Sequence, residues 1–524
     1  MTGTSENRLA RCTLCPALCG LGLDWDGPDR PRVAYPAQAG TGLCPRGSAL
    51  GDLLAAPSRI RWPRQRRDGG AIDVKLNGAI AAAAERMAGG ATVLIDAASL
   101  PIEQIVAAAD IVAVWEGVRL CAVLAPEDEQ VLMGVEASGA TYLADEDLAG
   151  CDGFLIIGNA FAGNPRCARG VLDARKGNPR VPTVVIDSGG GVPESFASLR
   201  VPCPAGGELD ALQSEQVASA VEGCRKLGVI IAAEAGRGGR WARVGFLAGR
   251  LANAQGGGVA VQTAGANALA ALRLRVSLGM VSLAEAMTPA AGDEVRVAIG
   301  VDVLGLLGWA GPPVAIAAAA APNQTTATAE LILPTALPCE MGGTFIQAGT
   351  KPVTSAALLA PPAGVPTPAE LLGLLAAAAG VRVPQSDTKP AVPERLAAPE
   401  PPEVAAPAID QSALVAAREA LHHADGALTA QAGWQSQLQP VPELRVSPRD
   451  AEALGVGDLA DVEVETESYR TAARVRVVEY ISPGTLAISE GDPRARRLLS
   501  YVIDADRDVL VSRPGVVAVR RAAR

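Results

Sequence analysis

The 524-residue sequence predicts an α/β protein: a small cysteine-bearing amino-terminal unit, doubly wound α/β lobes, and a carboxy-terminal β-barrel domain. The chain is too long for one ordinary core, so it divides into several lobes. From about residue 75, short apolar runs alternate with helix-like segments. The runs are continuous rather than alternating, as in parallel strands covered by helices on both faces. From about residue 442 the pattern changes to period-two segments punctuated by Gly and Pro, the signature of antiparallel strands closing on themselves.

The elements follow in order. Residues 1–65 form a loop-rich unit around four cysteines. LNGAIAAAAERMAGG predicts a helix and ATVLID a buried strand. PIEQIVAAAD is helical, LCAVLA strand-like, and DEQVLMGVEAS helical again. GFLIIG (153–158), the helical PRCARGVLDARK and the strand PTVVID (182–187) continue the alternation. GVIIAA, the helical RWARVGFLAGRLANA and VAVQT extend it, so residues 66–382 are assigned to doubly wound lobes. VDVLGLLGWAGPPVAIAAAAAP (301–322) is broken by Asp302, glycines and a Pro pair, and reads as strand, turn and strand rather than a membrane span. Residues 383–410 are rich in Pro, Ala and Glu and predict a linker. Residues 411–524 begin with the helix-like LVAAREALHHADG, where His422 and His423 are expected to be exposed, and continue into the barrel.

Composition excludes some functions. The net charge of −10 would on average repel a phosphate backbone, and 3% aromatics leaves few platforms for stacking bases. No nucleic-acid partner is expected. The polar start MTGTSENRLAR lacks an apolar signal region, so the expected location is cytoplasmic, with no direct membrane insertion. In that compartment ten cysteines do not imply a disulfide framework, and a tight group of them implies metal or catalysis.

Cys12, Cys15, Cys19 and Cys44 have the spacing C-x2-C-x3-C-x24-C, with Pro45 after the last. Four thiolates can hold a [4Fe–4S] cluster or a tetrahedral zinc. Zinc sites usually show two close pairs. Three ligands on one winding loop and a lone fourth suit the larger cubane, although zinc and an unmetallated group stay open on spacing alone. Gly20 and Gly47 lie beside ligands, where bare backbone can approach inorganic sulfide.

CTLCPALCGLGL…GTGLCPRGSALGDLLAAPSRIRWP resembles the amino-terminal iron–sulfur segment of the molybdopterin oxidoreductase family. That family includes formate dehydrogenases, nitrate reductases, the large iron–sulfur subunit of bacterial NADH–quinone oxidoreductase and the B subunit of formylmethanofuran dehydrogenase. CDGFLIIGNAFAGNPRCARG, PTVVIDSGGG, LRVPCPAGGELDALQ, EVRVAIGVDVLG and ATAELILPTALPCEMGGTFIQAGTKPV resemble later family segments in the family's order. LRVSPRDAEALGVGDLADVEVET resembles the start of the molybdopterin-dinucleotide-binding barrel.

The resemblance implies a [4Fe–4S] cluster on the four cysteines and a molybdopterin guanine dinucleotide carrying Mo or W. It assigns cofactor contacts to Arg46, Gly158, Asn159, Asn164, Asp187, Asp302, Glu340, Gly343 and Thr344. Arg46 stands where many relatives place a Lys between cluster and pterin. Candidates for a protein ligand to the metal are Cys121, Cys151 and Cys167. The first two read as core, and Cys167, at a helix start, is the weak catalytic candidate. His422 and His423 lie far from where the family places an acid–base residue.

Two functions follow from the resemblance. One is an oxidoreductase or electron-transfer subunit passing electrons through the cluster to or from the metal pterin. The other is a catalytically reduced iron–sulfur scaffold of a formylmethanofuran dehydrogenase-like, one-carbon formyltransferase/hydrolase complex. Both imply redox or catalytic partner subunits. A zinc-binding interaction protein would account for the four cysteines alone.

Overall fold

The structure, a computed structural model, describes residues 9–25, 31–36, 44–67, 70–288, 294–308, 313–347, 351–384, 391–405, 412–419, 421, 431–467 and 469–522. Two α/β sheets dominate, and one is inserted in the sequence of the other. The inserted sheet has five parallel strands, in the spatial order Leu199–Pro202, Thr183–Asp187, Gly153–Ile157, Leu227–Ile231, Gly258–Val261. Its three central strands are buried at every residue, which explains their unbroken apolar runs. The order reverses between Gly153–Ile157 and Leu227–Ile231. That switch point opens a crevice at the carboxyl ends of the strands, where doubly wound folds bind ligands.

The second sheet is discontinuous. Parallel strands Leu331–Pro334, Ile316–Ala319, Val295–Ile299, Ala91–Asp96 and Val118–Val123 lie side by side, and the hairpin Arg64–Arg67/Gly70–Asp73 adds an antiparallel edge. Its switch point lies between Val295–Ile299 and Ala91–Asp96. The expected 66–382 unit is thus two interleaved sheets. One prediction within it fails: VDVLGLL is not a strand. Asp302 caps a short helix, Val303–Leu306, by accepting from the Gly305 amide.

The helices Pro126–Ser138 and Trp241–Ala254 hold the lobes together through glycines. A Cβ on Gly134 would lie 1.9 Å from the Ala242 carbonyl oxygen, and one on Gly245 2.4 Å from that of Val131. Such backbone-to-backbone approach leaves no side chain free to yield. Gly134→Ala is therefore expected to destabilise the protein by about 3 kcal/mol, the upper end of ordinary overpacking. Chemical denaturation of the variant measures it, and a loss below about 1 kcal/mol would contradict this close crossing.

The carboxy-terminal sheet runs Gly515–Val516, Ala413–Ala417, Thr485–Ser489, Glu443–Val446, Arg470–Val477, Asp461–Glu465, Ala518–Arg521. Its two edge strands are separated in sequence by Val517 alone, so the sheet must curl until its edges meet. The hairpin Ser500–Asp504/Val509–Arg513 stands apart from it. ALVAA, expected to be helical, is the strand Ala413–Ala417, buried at every residue and paired with Thr485–Ser489. Alanine favours helix locally, but a five-residue run enclosed on both faces is decided by its neighbours. His422 and His423 lie outside the described residues.

The expected linker is laid on the inserted lobe over its described part, 391–405. The Leu396 amide donates to Glu136 at 2.6 Å, Arg395 to the Ala140 carbonyl at 2.8 Å, and Arg243 pairs with Glu400 at 2.5 Å. No helix among the described residues is long and apolar enough to cross a membrane.

Candidate functional site

Cys12, Cys15, Cys19 and Cys44 line one cavity of about 480 Å³. The loop is shaped by its own backbone: the Cys12 amide donates to the Cys19 carbonyl at 2.8 Å, and Leu18 adopts φ +45°. A left-handed leucine is costly, and burial of its side chain holds it there. Cys44 precedes the helix Pro45–Ala55, whose positive amino end lies beside that sulfur. A Cβ on Gly47 would stand 2.4 Å from the Tyr35 hydroxyl and 3.9 Å from Cys12 Sγ, so only glycine lets the helix approach the ligand loop.

Burial pushes the Cys15 thiol up to about 12, with Arg46 pulling the other way, and it also raises Cys12 and Cys19. Neighbouring thiols add to each rise, while the Arg166 guanidinium opposes it at Cys19. Cys12, Cys15 and Cys19 therefore lack a cationic partner sufficient to hold them as thiolates, which a metal core would supply. They surround a space rather than a point. Among the described residues no three His, Cys, Asp or Glu converge closely enough to hold a single ion. The donor set and the cavity fit a [4Fe–4S] core, which would be held by the four sulfurs and would supply one-electron chemistry.

Arg46 lines the same cavity and is buried. Its Nη2 donates to the Gly163 carbonyl at 2.6 Å. On the other side of Gly163 lies Arg418, whose Nη1 would be 3.3 Å from an added Cβ.

Gly158 and Asn159 follow the strand Gly153–Ile157 and so stand at the switch-point crevice. Gly158 has φ +76°, and a Cβ there would meet the Ala232 carbonyl at 2.3 Å. The crevice is occupied by the chain itself. Arg237 Nη1 donates to Glu208 at 2.5 Å and to Asp187 at 3.4 Å, and its Nη2 to Glu234 at 2.5 Å. The Asp187 oxygens also accept from the Gly189 and Gly191 amides at 2.9 and 2.6 Å. Arg418 donates to Asp128 at 2.7 Å and to the Ala233 carbonyl at 2.9 Å, its amide donates to Glu234 at 2.7 Å, and its carbonyl accepts from Asn159 at 2.7 Å. All of these side chains are buried. Burial raises Glu234 to about 7 against the opposing Arg237 charge. A Cβ on Gly236 would lie 2.9 Å from Val415 Cα, so the carboxy-terminal domain seals the opening.

The crevice of the second sheet retains a cavity of about 40 Å³, lined by residues that include Asp96, Gly300 and Thr335. That is room for a water or two, far below the several hundred Å³ of a ligand pocket. Asp302 accepts from the Gly305, Gln324 and Thr325 amides at 3.1, 3.1 and 2.8 Å. Glu340 pairs with Arg59 at 2.5 Å and caps Leu337. Gly343, at φ +155°, brings backbone against Pro101, and Thr344 donates to Glu103 at 2.6 Å. Asn164 caps the helix Pro165–Gly177 and donates to Asp145 at 2.9 Å. The Asp302, Glu340, Thr344 and Asn164 side chains thus each engage the protein's own groups.

Cys167 is core. Its Sγ donates to the Asn164 carbonyl at 2.8 Å, and burial holds its thiol well above the ordinary value. Cys121 and Cys151 are buried likewise, raised by burial to about 12 and about 11. Sequence reasoning missed Arg237 and Arg418. The signal for the first was present: EAGRGGR follows the strand GVIIAA as a Gly-rich loop at a strand's carboxyl end. Arg418 was hidden by the helical reading of its strand.

Residues 413–514 match the family model of the molydopterin dinucleotide binding domain. That domain supports a molybdopterin cofactor, and its first strand is the one that seals the crevice. The whole chain also shares its fold with a solved structure. Acetylene hydratase from Pelobacter acetylenicus shares the fold with a TM-score of 0.68 over 98% of this chain and 100% of that one, at 11% identity. No curated protein matches the sequence.

Proposed function

We propose that this chain is an iron–sulfur subunit that keeps the molybdopterin-family fold as a scaffold. The four cysteines hold a [4Fe–4S] cluster, and the chain's own ions take the place of the dinucleotide. One observation carries this reading: the four-cysteine cavity is open at about 480 Å³, while Arg237 and Arg418 fill the switch-point crevice. The subunit works beside partner subunits of a formylmethanofuran dehydrogenase-like, one-carbon complex, the setting implied by the sequence resemblance. The dinucleotide-binding domain at 413–514 favours a second reading, a Mo or W pterin oxidoreductase whose crevice opens to load its cofactor.

Metal analysis of protein purified without oxygen separates the two. Iron and acid-labile sulfide near about four each per chain, without Mo, W or extractable pterin, is the expected result. Mo or W with pterin in stoichiometric amount establishes the oxidoreductase. Zinc without sulfide overturns both.

A further inference from the structure

The four-cysteine cavity has one closed side and one open side. On the closed side Arg46 is fixed to the Gly163 carbonyl, and Gly163 is packed against Arg418, so these side chains stand between the cavity and the crevice. On the open side the lip is built by the helix Pro165–Gly177, which places Arg166, Arg169, Gly170 and Asp173 at the cavity wall. Arg166 clamps the ligand loop itself, donating to the Ala17 carbonyl at 3.1 Å and pairing with Glu146 at 2.8 Å.

This helix also presents an outer face. Pro165, Arg169, Leu172 and Lys176 recur at helical spacing, and all four are exposed. The Arg169 and Lys176 side chains are 76% and 72% exposed, and Leu172 is 39% exposed. Between residues 163 and 180 five basic side chains stand against one acidic residue, Asp173, in a chain whose net charge is −10. Asp173 is shared by Arg169 at 3.1 Å and Lys176 at 2.8 Å, so one carboxylate balances two cations. The cavity is also lined by Asp145 and Glu146. An apolar centre ringed by cations, together with acidic groups lining the cavity, gives a partner both a preferred charge and a preferred orientation.

We propose that the open mouth is the electron port of the protein and that the helix Pro165–Gly177 is the landing face for a small acidic one-electron carrier. This rests on the cluster reading above. One electron leaves the reduced carrier and enters the cluster; no bond forms or breaks, and no further reactant is needed. A face of this kind suits a small, transient, electrostatically steered contact.

The test uses the full chain with its cluster loaded, and a pre-reduced acidic [2Fe–2S] ferredoxin as the probe. Cluster reduction is followed by stopped-flow absorbance at low and high salt. The double variant K176E/R180E, at two exposed basic residues off the cavity wall, is expected to react at least about tenfold more slowly at low salt, with its salt dependence flattened. Leu172→Asp, which touches no cavity wall, should slow the reaction at both salt concentrations. Iron and sulfide content, and reduction by methyl viologen radical, should match the wild type in all variants. Unchanged ferredoxin rates in both variants of a loaded chain overturn the port alone. A wild-type chain without iron and sulfide overturns the cluster reading and the port with it.

Discussion

Arg237→Met is expected to cost the protein about 3–5 kcal/mol, the loss that follows when one member of a buried ion network is removed and its partners stay behind. Arg237 is fully buried and serves Asp187, Glu208, Glu234 and Ser188 at once. Methionine has similar length and no charge, so the packing volume survives while three carboxylates lose their cation. Urea denaturation measures the loss. Adding Glu208→Gln and Glu234→Gln should restore part of it, because neutral groups do not need the guanidinium. A loss under about 1 kcal/mol would mean that water reaches these carboxylates and that the crevice is open.

The same variant has a pH signature. Glu234 titrates near about 7 in the fold, raised by burial above its ordinary 4.5. A carboxyl with a raised folded pKa binds its proton more tightly when folded. Its contribution to stability is whole below about 4.5 and is lost as pH climbs through about 7. Arg237 holds that value down, so the methionine variant should lose stability over a wider and higher range of pH than the wild type.

Where local pattern and tertiary context agree, the sequence was readable. The strands Gly153–Ile157 and Thr183–Asp187 were legible because burial on both faces writes an uninterrupted apolar run. The cysteine group was legible because its spacing is local. The interleaving of the sheets was not, since pairing Ala91–Asp96 with Val295–Ile299 joins segments some two hundred residues apart, and no local signal encodes it. The strand Ala413–Ala417 was misread for a related reason, as its alanines favour helix until Thr485–Ser489 pairs with them. The crevice network escaped because its members come from separate loops, and an arginine in isolation reads as a solvated surface charge. Only the fold shows Asp128, Glu234 and Arg418 meeting, and Asp187 paired with Arg237.

Cys15→Ala is expected to abolish the cluster while leaving the α/β lobes folded. Cys15 is buried at the cavity wall, and burial pushes its free thiol up to about 12, so without metal it is an inert neutral group. Loss of one of four thiolates removes a strong bond from the core and opens an iron to solvent. Iron and sulfide should fall together by more than half, and the visible absorbance with them, while far-ultraviolet circular dichroism keeps the wild-type shape. Cys167→Ala is the matched control. Cys167 is fully buried, its thiol bonds to backbone, and it packs among Phe154, Phe161 and Val171. That change should keep full iron and cost about 1 kcal/mol of packing. Equal loss of iron in both variants would show that the cluster depends on general core integrity rather than on the four named sulfurs. Iron retained in Cys15→Ala would remove Cys15 from the ligand set. The contrast between two buried cysteines, one on the cavity and one behind it, assigns the site by function rather than by spacing.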